Sequence, residues 1–175
     1  MKAFLDVCRE RYSERRFSDQ PVEEEKLRDI LEAGRIAPSA HNTRCFRFFV
    51  IASDEALKMI RALTPMTYGA PVAVIVGYDS DLVWRKPADT FYEDYNSGEV
   101  DCAIAMASMM YEAAYLGVQS LWARDYLTQE LVDAFHLPAS IQPVGILSLG
   151  YASENSKPSA NHFKRDPLEE ICIRL

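Results

Sequence analysis

Glycine-rich phosphate-binding motifs are absent from this 175-residue sequence, which has only seven glycines. It contains no Walker loop, no G-x-G-x-x-G dinucleotide fingerprint and no G-x-S-x-G nucleophile elbow. These absences argue against a P-loop hydrolase, a Rossmann dehydrogenase and an α/β-hydrolase. Any chemistry of this chain therefore rests on other residues.

Histidine and cysteine are scarce and dispersed. The histidines, His41, His136 and His162, are not spaced like metal ligands, and the four cysteines include no C-x-x-C pair. This pattern predicts neither a zinc site nor a disulfide scaffold, and it favours reduced thiols in the cytoplasm. Nothing in it favours a Ser–His or Cys–His pair, so no catalytic side chain and no metal ligand is predicted.

The sequence also lacks an excess of positive charge and a long hydrophobic run. Nineteen Lys and Arg against 26 Asp and Glu give a net charge of −7, so the basic surface that binds nucleic acid is not expected. No window approaches the ~20 apolar residues of a membrane span, and Asp6 interrupts the stretch where a signal peptide would be apolar. We expect a cytoplasmic protein without a membrane or nucleic-acid partner.

The composition is otherwise typical of a globular protein, and the length predicts a single domain over residues 1–175. Hydrophobic periodicity predicts helices at 2–10, 21–37, 54–63, 99–116 and 128–135, the last capped by Thr128. It predicts strands at 46–51, 71–76, 118–123 and 144–149. The 71–76 strand is apolar throughout and therefore central. The tail, 167–175, begins like a helix and ends like a strand. These elements predict an α+β fold with a mixed sheet of four to five strands flanked by helices.

Two further patterns concern packing and access. Ala103, Ala107, Met110 and Ala114 form a stripe of small and flexible side chains, which favours close contact with another helix, within the chain or across a subunit interface. Residues 84–95 combine charges with aromatic rings, a pattern typical of a functional loop or lid. A solvated loop packed by its own rings is the alternative.

Three polar segments are candidate binding sites. Residues 11–16 hold three arginines and a serine, which suit a phosphate, although on composition alone a solvated charged turn explains them better. The turn at 38–44 offers hydroxyl and amide groups, or is an ordinary helix exit. The basic pair at 164–165 precedes a helix start, where positive charge and backbone N–H groups suit an anion.

Taken in order along the chain, these segments resemble a known family. The motifs are Arg11-x-Ser13-x-Arg15, Ala37-Pro38-Ser39-Ala40-x-Asn42, the alanine-rich 101–117 helix, Leu149-Gly150-Tyr151 and Arg165-x-x-Leu168-Glu169-Glu170-Ile171. The series resembles the short-chain branch of the nitroreductase family of FMN-dependent oxidoreductases. It spans the chain from Arg11 to Ile171. The resemblance implies a nitroreductase-like fold and an intertwined homodimer with FMN at the interface.

The resemblance also implies which residues contact the flavin. Arg11 and Ser13 match positions on the phosphate and ribityl end, and Arg15 matches a position beside the pyrimidine edge. The backbone near Leu121 and Trp122 matches the stretch close to flavin N5. The C-terminal pair, Lys164 and Arg165, matches positions that contact the phosphate. The 38–42 turn matches one that reaches the flavin bound mainly by the partner subunit, through Pro38, Ser39, Ala40 and Asn42.

The implied activity is hydride transfer from NAD(P)H through flavin N5 to a flat acceptor such as a nitroaromatic or a quinone, by a ping-pong mechanism. One departure is that Arg44-Cys45-Phe46 stands where the family commonly has a Gln-Pro-Trp-like run. It leaves open a flavin-binding or flavin-modifying protein without reductase turnover. A phosphometabolite-binding domain that uses the same arginines without flavin is a third hypothesis.

Overall fold

The computed structural model describes residues 3–88 and 93–175. Within these ranges the chain forms six α-helices and four β-strands. The helices are α1 (Phe4–Glu10), α2 (Glu24–Arg35), α3 (Asp54–Leu63), α4 (Gly98–Tyr115), α5 (Thr128–Ala134) and α6 (Leu168–Ile171). The strands are β1 (Phe46–Ile51), β2 (Val72–Asp79), β3 (Gln119–Ala123) and β4 (Ile141–Gly150). Phe91 and Tyr92 of the predicted aromatic loop lie outside the described residues.

The four strands form one sheet in the order β1-β2-β4-β3. Along β2, Val74 belongs to the apolar cluster on one face of the sheet, and its neighbour Ile75 belongs to the cluster on the other. Both side chains are fully buried. The prediction of a central strand buried on both faces is therefore confirmed.

The α+β class and a sheet of four strands are confirmed, but the three strand pairings are all antiparallel, so the sheet is not mixed. Parallel pairing in the described part of the chain is limited to an isolated bridge between Ser13 and Ser120. The sequence did not indicate a fully antiparallel sheet, because strands buried on both faces are most typical of parallel sheets. Here helices cover both faces of an antiparallel sheet.

Helices α2 and α4 contribute to the core on one face, and α3 and α5 contribute to the core on the other. Helix α2 faces this core with Leu27, Ile30 and Gly34, which are all buried. A Cβ atom at Gly34 would lie 2.8 Å from Met109 Cγ. Gly34 therefore permits the close approach of α2 and α4.

Two local predictions, the helix cap and the C-terminal strand, are wrong, and a third stays a prediction. The α4 residues that face the core include Ala105, Met106 and Met109, whereas Ala107 of the predicted stripe is only partly buried, so its contact with a second subunit stays a prediction. Apolar and small side chains occur all around this helix, which left its inward face undetermined. Thr128 is the first helical residue and not the cap. The tail after α6 forms no strand in the described part of the chain.

No helix in the described ranges is long and apolar enough to cross a bilayer.

Candidate functional site

The arginine-rich segment, here residues 11–18, runs along the edge of the sheet that β3 forms. The backbone N–H of Glu14 donates to Ser120 O on β3 (3.1 Å), and that of Ser18 donates to Tyr151 O just after β4 (2.8 Å). The N–H of Ser153 donates in turn to Arg16 O (2.8 Å). These backbone bonds fix the segment between the edge strand β3 and the loop that follows β4.

A cavity of about 400 Å³ opens between this segment and the C-terminal region. Its walls bring together residues from the first sixteen positions and from positions 159–165, which are far apart in the sequence. The lining residues are Arg11, Tyr12, Ser13, Arg15, Ser159, Asn161, His162 and Arg165. Two of the three candidate polar segments therefore meet at one place.

The cavity is strongly electropositive. Its three guanidinium groups form no ion pair with any carboxylate of the described residues. Arg15 donates one hydrogen bond to Ser13 O (3.1 Å), and Arg165 donates to Lys164 O (2.6 Å) and Asn161 O (3.4 Å). Because guanidinium carries five N–H donors, each group retains donors for an anion such as a phosphate.

Two other predicted contacts lie next to this cavity. Lys164 adjoins Arg165 in the chain but is exposed and is not among the lining residues. Trp122 is on β3, two residues beyond Ser120, whose backbone faces the arginine segment. Backbone groups two residues apart in a strand point to the same edge. The backbone N–H of Trp122 therefore points out of the sheet edge beside the cavity.

The predicted turn at 38–44 lies on a different surface. Pro38 lines a separate apolar groove of about 500 Å³ between α1, α2 and α4, with Phe4, Ile36 and Tyr115 among the other lining residues. None of Pro38, Ser39, Ala40 and Asn42 lines the arginine cavity. A single chain thus does not bring the turn together with the arginines.

Asp101, in the first turn of α4, holds this turn in place. Its buried carboxylate accepts the backbone N–H of Ala40 (2.9 Å), the hydroxyl of Ser97 (2.7 Å) and the thiol of Cys45 (3.4 Å). Sequence reasoning missed Asp101. The available signal was a single acid on the inward face of α4, whose other inward residues are small or apolar.

The turn needs such an anchor because its backbone is strained. His41, Asn42 and Arg44 all have positive φ, between 51° and 54°, and each such residue costs of order 1–3 kcal/mol unless its surroundings hold it. The His41 ring also stacks on Trp84, with the ring centroids 5.0 Å apart. The conformation of the turn is therefore fixed from both sides.

The Arg44-Cys45-Phe46 run is mostly buried. Cys45 and Phe46 are inside the protein, so neither offers a side chain to solvent. The Cys45 side chain points inward because it bonds to Asp101. Burial, together with this hydrogen bond, raises the pKa of the Cys45 thiol to about 11. Only Arg44 of the three faces solvent.

Cys45 and Cys102 should resist alkylation in the folded protein. The thiolate is the reactive form, and burial raises the pKa of both thiols above the ordinary value. We expect little modification by iodoacetamide at pH 8 in buffer and full modification in urea, as measured by peptide mass spectrometry. Equal modification rates of Cys45 in buffer and in urea would contradict this placement.

The described residues contain no group of three or more His, Cys, Asp and Glu side chains that could hold a metal ion.

Comparison with known proteins agrees with this arrangement. Residues 8–67 and 59–151 match the model of the Nitroreductase family. A Methanothermobacter thermautotrophicus protein assigned as an NADH dehydrogenase/NAD(P)H nitroreductase is 32% identical over 158 residues, 86% of this chain and 78% of that protein. The crystal structure of a nitroreductase family protein from Clostridium difficile has a TM-score of 0.88 at 32% identity, covering 99% of this chain and 98% of that one. A protein from Desulfovibrio desulfuricans, assigned as a nitroreductase and crystallised with FMN, has a TM-score of 0.79 at 27% identity, with 100% and 98% covered. The chain therefore belongs to the nitroreductase family.

Proposed function

We propose that this protein is an FMN-dependent oxidoreductase that passes hydride from NAD(P)H to a flat electron acceptor, such as a nitroaromatic or a quinone, in a ping-pong sequence. The observation that carries the proposal is the convergence of Arg11, Ser13, Arg15 and Arg165 on one cavity. Family membership and the FMN-bound Desulfovibrio relative support the choice of cofactor.

The residues of the cavity fit the phosphate end of FMN. Arg11, Arg165 and the hydroxyls of Ser13 and Ser159 provide charged and neutral donors around one space, and charge-assisted hydrogen bonds of this kind are the stronger class. Arg15 would hold the pyrimidine edge, and its fixed positive charge would stabilise the negative charge of a reduced flavin. The outward-facing N–H of Trp122 would donate to the ring near N5.

The absence of a predicted catalytic side chain is consistent with this chemistry. When bound, a flavin itself accepts hydride and passes it on, so the protein has to bind it, orient it and control access. The side chains described above bind and orient. Substrate identity depends on the surroundings of the open flavin face, and the aromatic segment near Trp84 is a candidate for that role.

We further propose that the active form is an intertwined homodimer. The turn at 38–44 does not reach the arginine cavity of its own chain, so a second copy would have to supply Pro38, Ser39, Ala40 and Asn42 to each flavin. The apolar groove and the exposed side chains of Phe4 and Ile36 provide a surface for that copy. The C-terminal segment is apolar and exposed at Ile171, the last residue of α6, and at Ile173 beyond it, as expected of a segment that packs on a partner. The free cysteines accord with a reducing cytoplasm.

A flavin-binding protein without reductase turnover is the second candidate. It is favoured by Arg44, which is exposed and stands where the family commonly has an uncharged residue. Of the three residues that depart from the family pattern, Arg44 is the exposed one, because Cys45 and Phe46 are buried. A permanently charged side chain at the rim of the flavin site would select against neutral acceptors.

Reconstitution and steady-state kinetics test the proposal. The purified chain should retain FMN through gel filtration, as a yellow protein with one flavin per chain. Initial rates with NADH or NADPH varied against a quinone acceptor should give parallel double-reciprocal lines, the pattern of a ping-pong sequence. A protein that cannot be loaded with FMN supports the phosphometabolite hypothesis and contradicts ours, whereas loading without turnover supports the second candidate.

A further inference from the structure

A buried carboxylate lies within the arginine-rich segment. Glu14, between Ser13 and Arg15, is only 1% exposed, although both neighbours line the cavity. An acid in a basic run ordinarily pairs with the adjacent guanidinium groups in solvent. Glu14 forms no such ion pair with the described residues and points into the protein instead.

Four donors surround this carboxylate. Its Oε1 accepts the backbone N–H groups of Arg15 (2.8 Å) and Arg16 (2.7 Å) and the hydroxyl of Ser156 (2.5 Å). Its Oε2 accepts the hydroxyl of Tyr12 (2.8 Å). Burying a charge is costly unless it is hydrogen-bonded in this way, so the carboxylate constrains every group that bonds to it.

The constrained groups belong to both walls of the cavity. Tyr12 and Arg15 are on the N-terminal wall, and Ser156 is on the loop that leads to Ser159 on the opposite wall. The inward position of Glu14 also directs its neighbour Ser13 outward, since side chains alternate along an extended segment. One carboxylate therefore sets the distance between the two sets of donors.

We propose that Glu14 is a positioning residue that holds Ser13, on one wall of the cavity, and Ser159, on the other, at the spacing a flavin phosphate requires. The proposal rests on the assignment of this cavity to the FMN phosphate. Glu14 does not touch the ligand. Its negative charge on its own would repel a phosphate, so any benefit to binding comes from the geometry that it imposes.

A role through geometry and a role through charge predict different outcomes for two substitutions of Glu14. Glu14→Ala removes all four hydrogen bonds and leaves the arginine segment free to shift. Glu14→Gln keeps an oxygen for the two backbone N–H groups and Ser156, and its amide can donate to the Tyr12 hydroxyl, while the negative charge is lost. A positioning role predicts loss of phosphate recognition in the first variant and its retention in the second.

The test compares the dissociation constants of FMN and riboflavin, which differ only in the phosphate. In the parent protein FMN should bind the more tightly. Glu14→Ala should reduce this preference by about tenfold or more, which corresponds to the loss of one charge-assisted contact. Glu14→Gln should keep or increase the preference. Glu154→Ala, an exposed acid on the same loop as Ser156, is the matched control and should behave like the parent.

A parent-like FMN preference in Glu14→Ala would overturn the proposal, and so would an equal loss in Glu14→Gln. If Glu14→Ala does not fold, Ser156→Ala and Tyr12→Phe each remove a single bond and should shift the preference in the same direction by a smaller factor. Unchanged preferences in both would also overturn it. If the parent itself binds riboflavin as tightly as FMN, the phosphate assignment of the cavity has failed, an outcome visible before any variant is measured.

Discussion

Replacing Arg11 or Arg165 by alanine should weaken FMN binding by about 10- to 100-fold, since a hydrogen bond to a charged group contributes about 1.5–3 kcal/mol. The two residues approach one cavity from opposite ends of the chain. Neither has a carboxylate partner among the described residues, so the loss measures contact with the ligand and not a broken ion pair. Fluorescence quenching of FMN during titration gives the dissociation constants.

Lys164→Ala is the matched control for this prediction. Lys164 carries the same charge as Arg165 and adjoins it, but it does not line the cavity. Its removal should change FMN affinity by less than about threefold, because an exposed charge acts weakly through solvent. An effect as large as that of Arg165→Ala would show that net charge, and not the geometry of the cavity, attracts the phosphate.

Ile36→Glu should dissociate the proposed homodimer and release FMN. Ile36 is 66% exposed in the single chain and lines the apolar groove, so the substitution should be tolerated by an isolated monomer. In a subunit interface the new carboxylate would be buried without a partner, at a cost of several kcal/mol. Sedimentation velocity should show a dissociation constant raised at least about 100-fold, with flavin lost in parallel.

Leu127→Glu provides the comparison. Leu127 is 65% exposed, almost the same as Ile36, but it precedes α5, which packs on the opposite face of the sheet. This variant should remain dimeric and yellow. If Leu127→Glu dissociated the protein and Ile36→Glu did not, the interface would lie on the α5 face of the sheet and not at the apolar groove. A parent protein that is monomeric with FMN bound would contradict the shared site.

Most helices and strands were predictable because the segments satisfy local rules. The strand at 46–51 and the helix at 54–63 have the predicted bounds, and the helix is capped by Ser53, whose hydroxyl accepts the N–H of Ala56. Boundaries elsewhere moved by one to three residues. The family resemblance, carried by five weak motifs in a fixed order, is confirmed by the family match.

The features that escaped prediction depend on contacts between distant segments. The cavity forms because Ser13 bridges to Ser120 and Ser153 bonds to Arg16, and neither contact has a local sequence signal. Asp101 was missed for the same reason, because its partners include Ala40 and Cys45 from a distant turn. Glu14 bonds to the distant Ser156 and otherwise to its own neighbours, which gave no signal that it is buried. The role of each acid follows from the hydrogen-bond donors that surround it in the folded chain.

Anaerobic addition of NADH or NADPH to the FMN-loaded protein tests most directly whether this protein binds a flavin that NAD(P)H reduces, because the visible absorption band of oxidised flavin disappears on reduction. We expect stoichiometric bleaching, one nicotinamide oxidised per flavin, and return of the band when a quinone is added. A band that persists with both nicotinamides in excess, while photochemical reduction bleaches it normally, would contradict reduction by NAD(P)H.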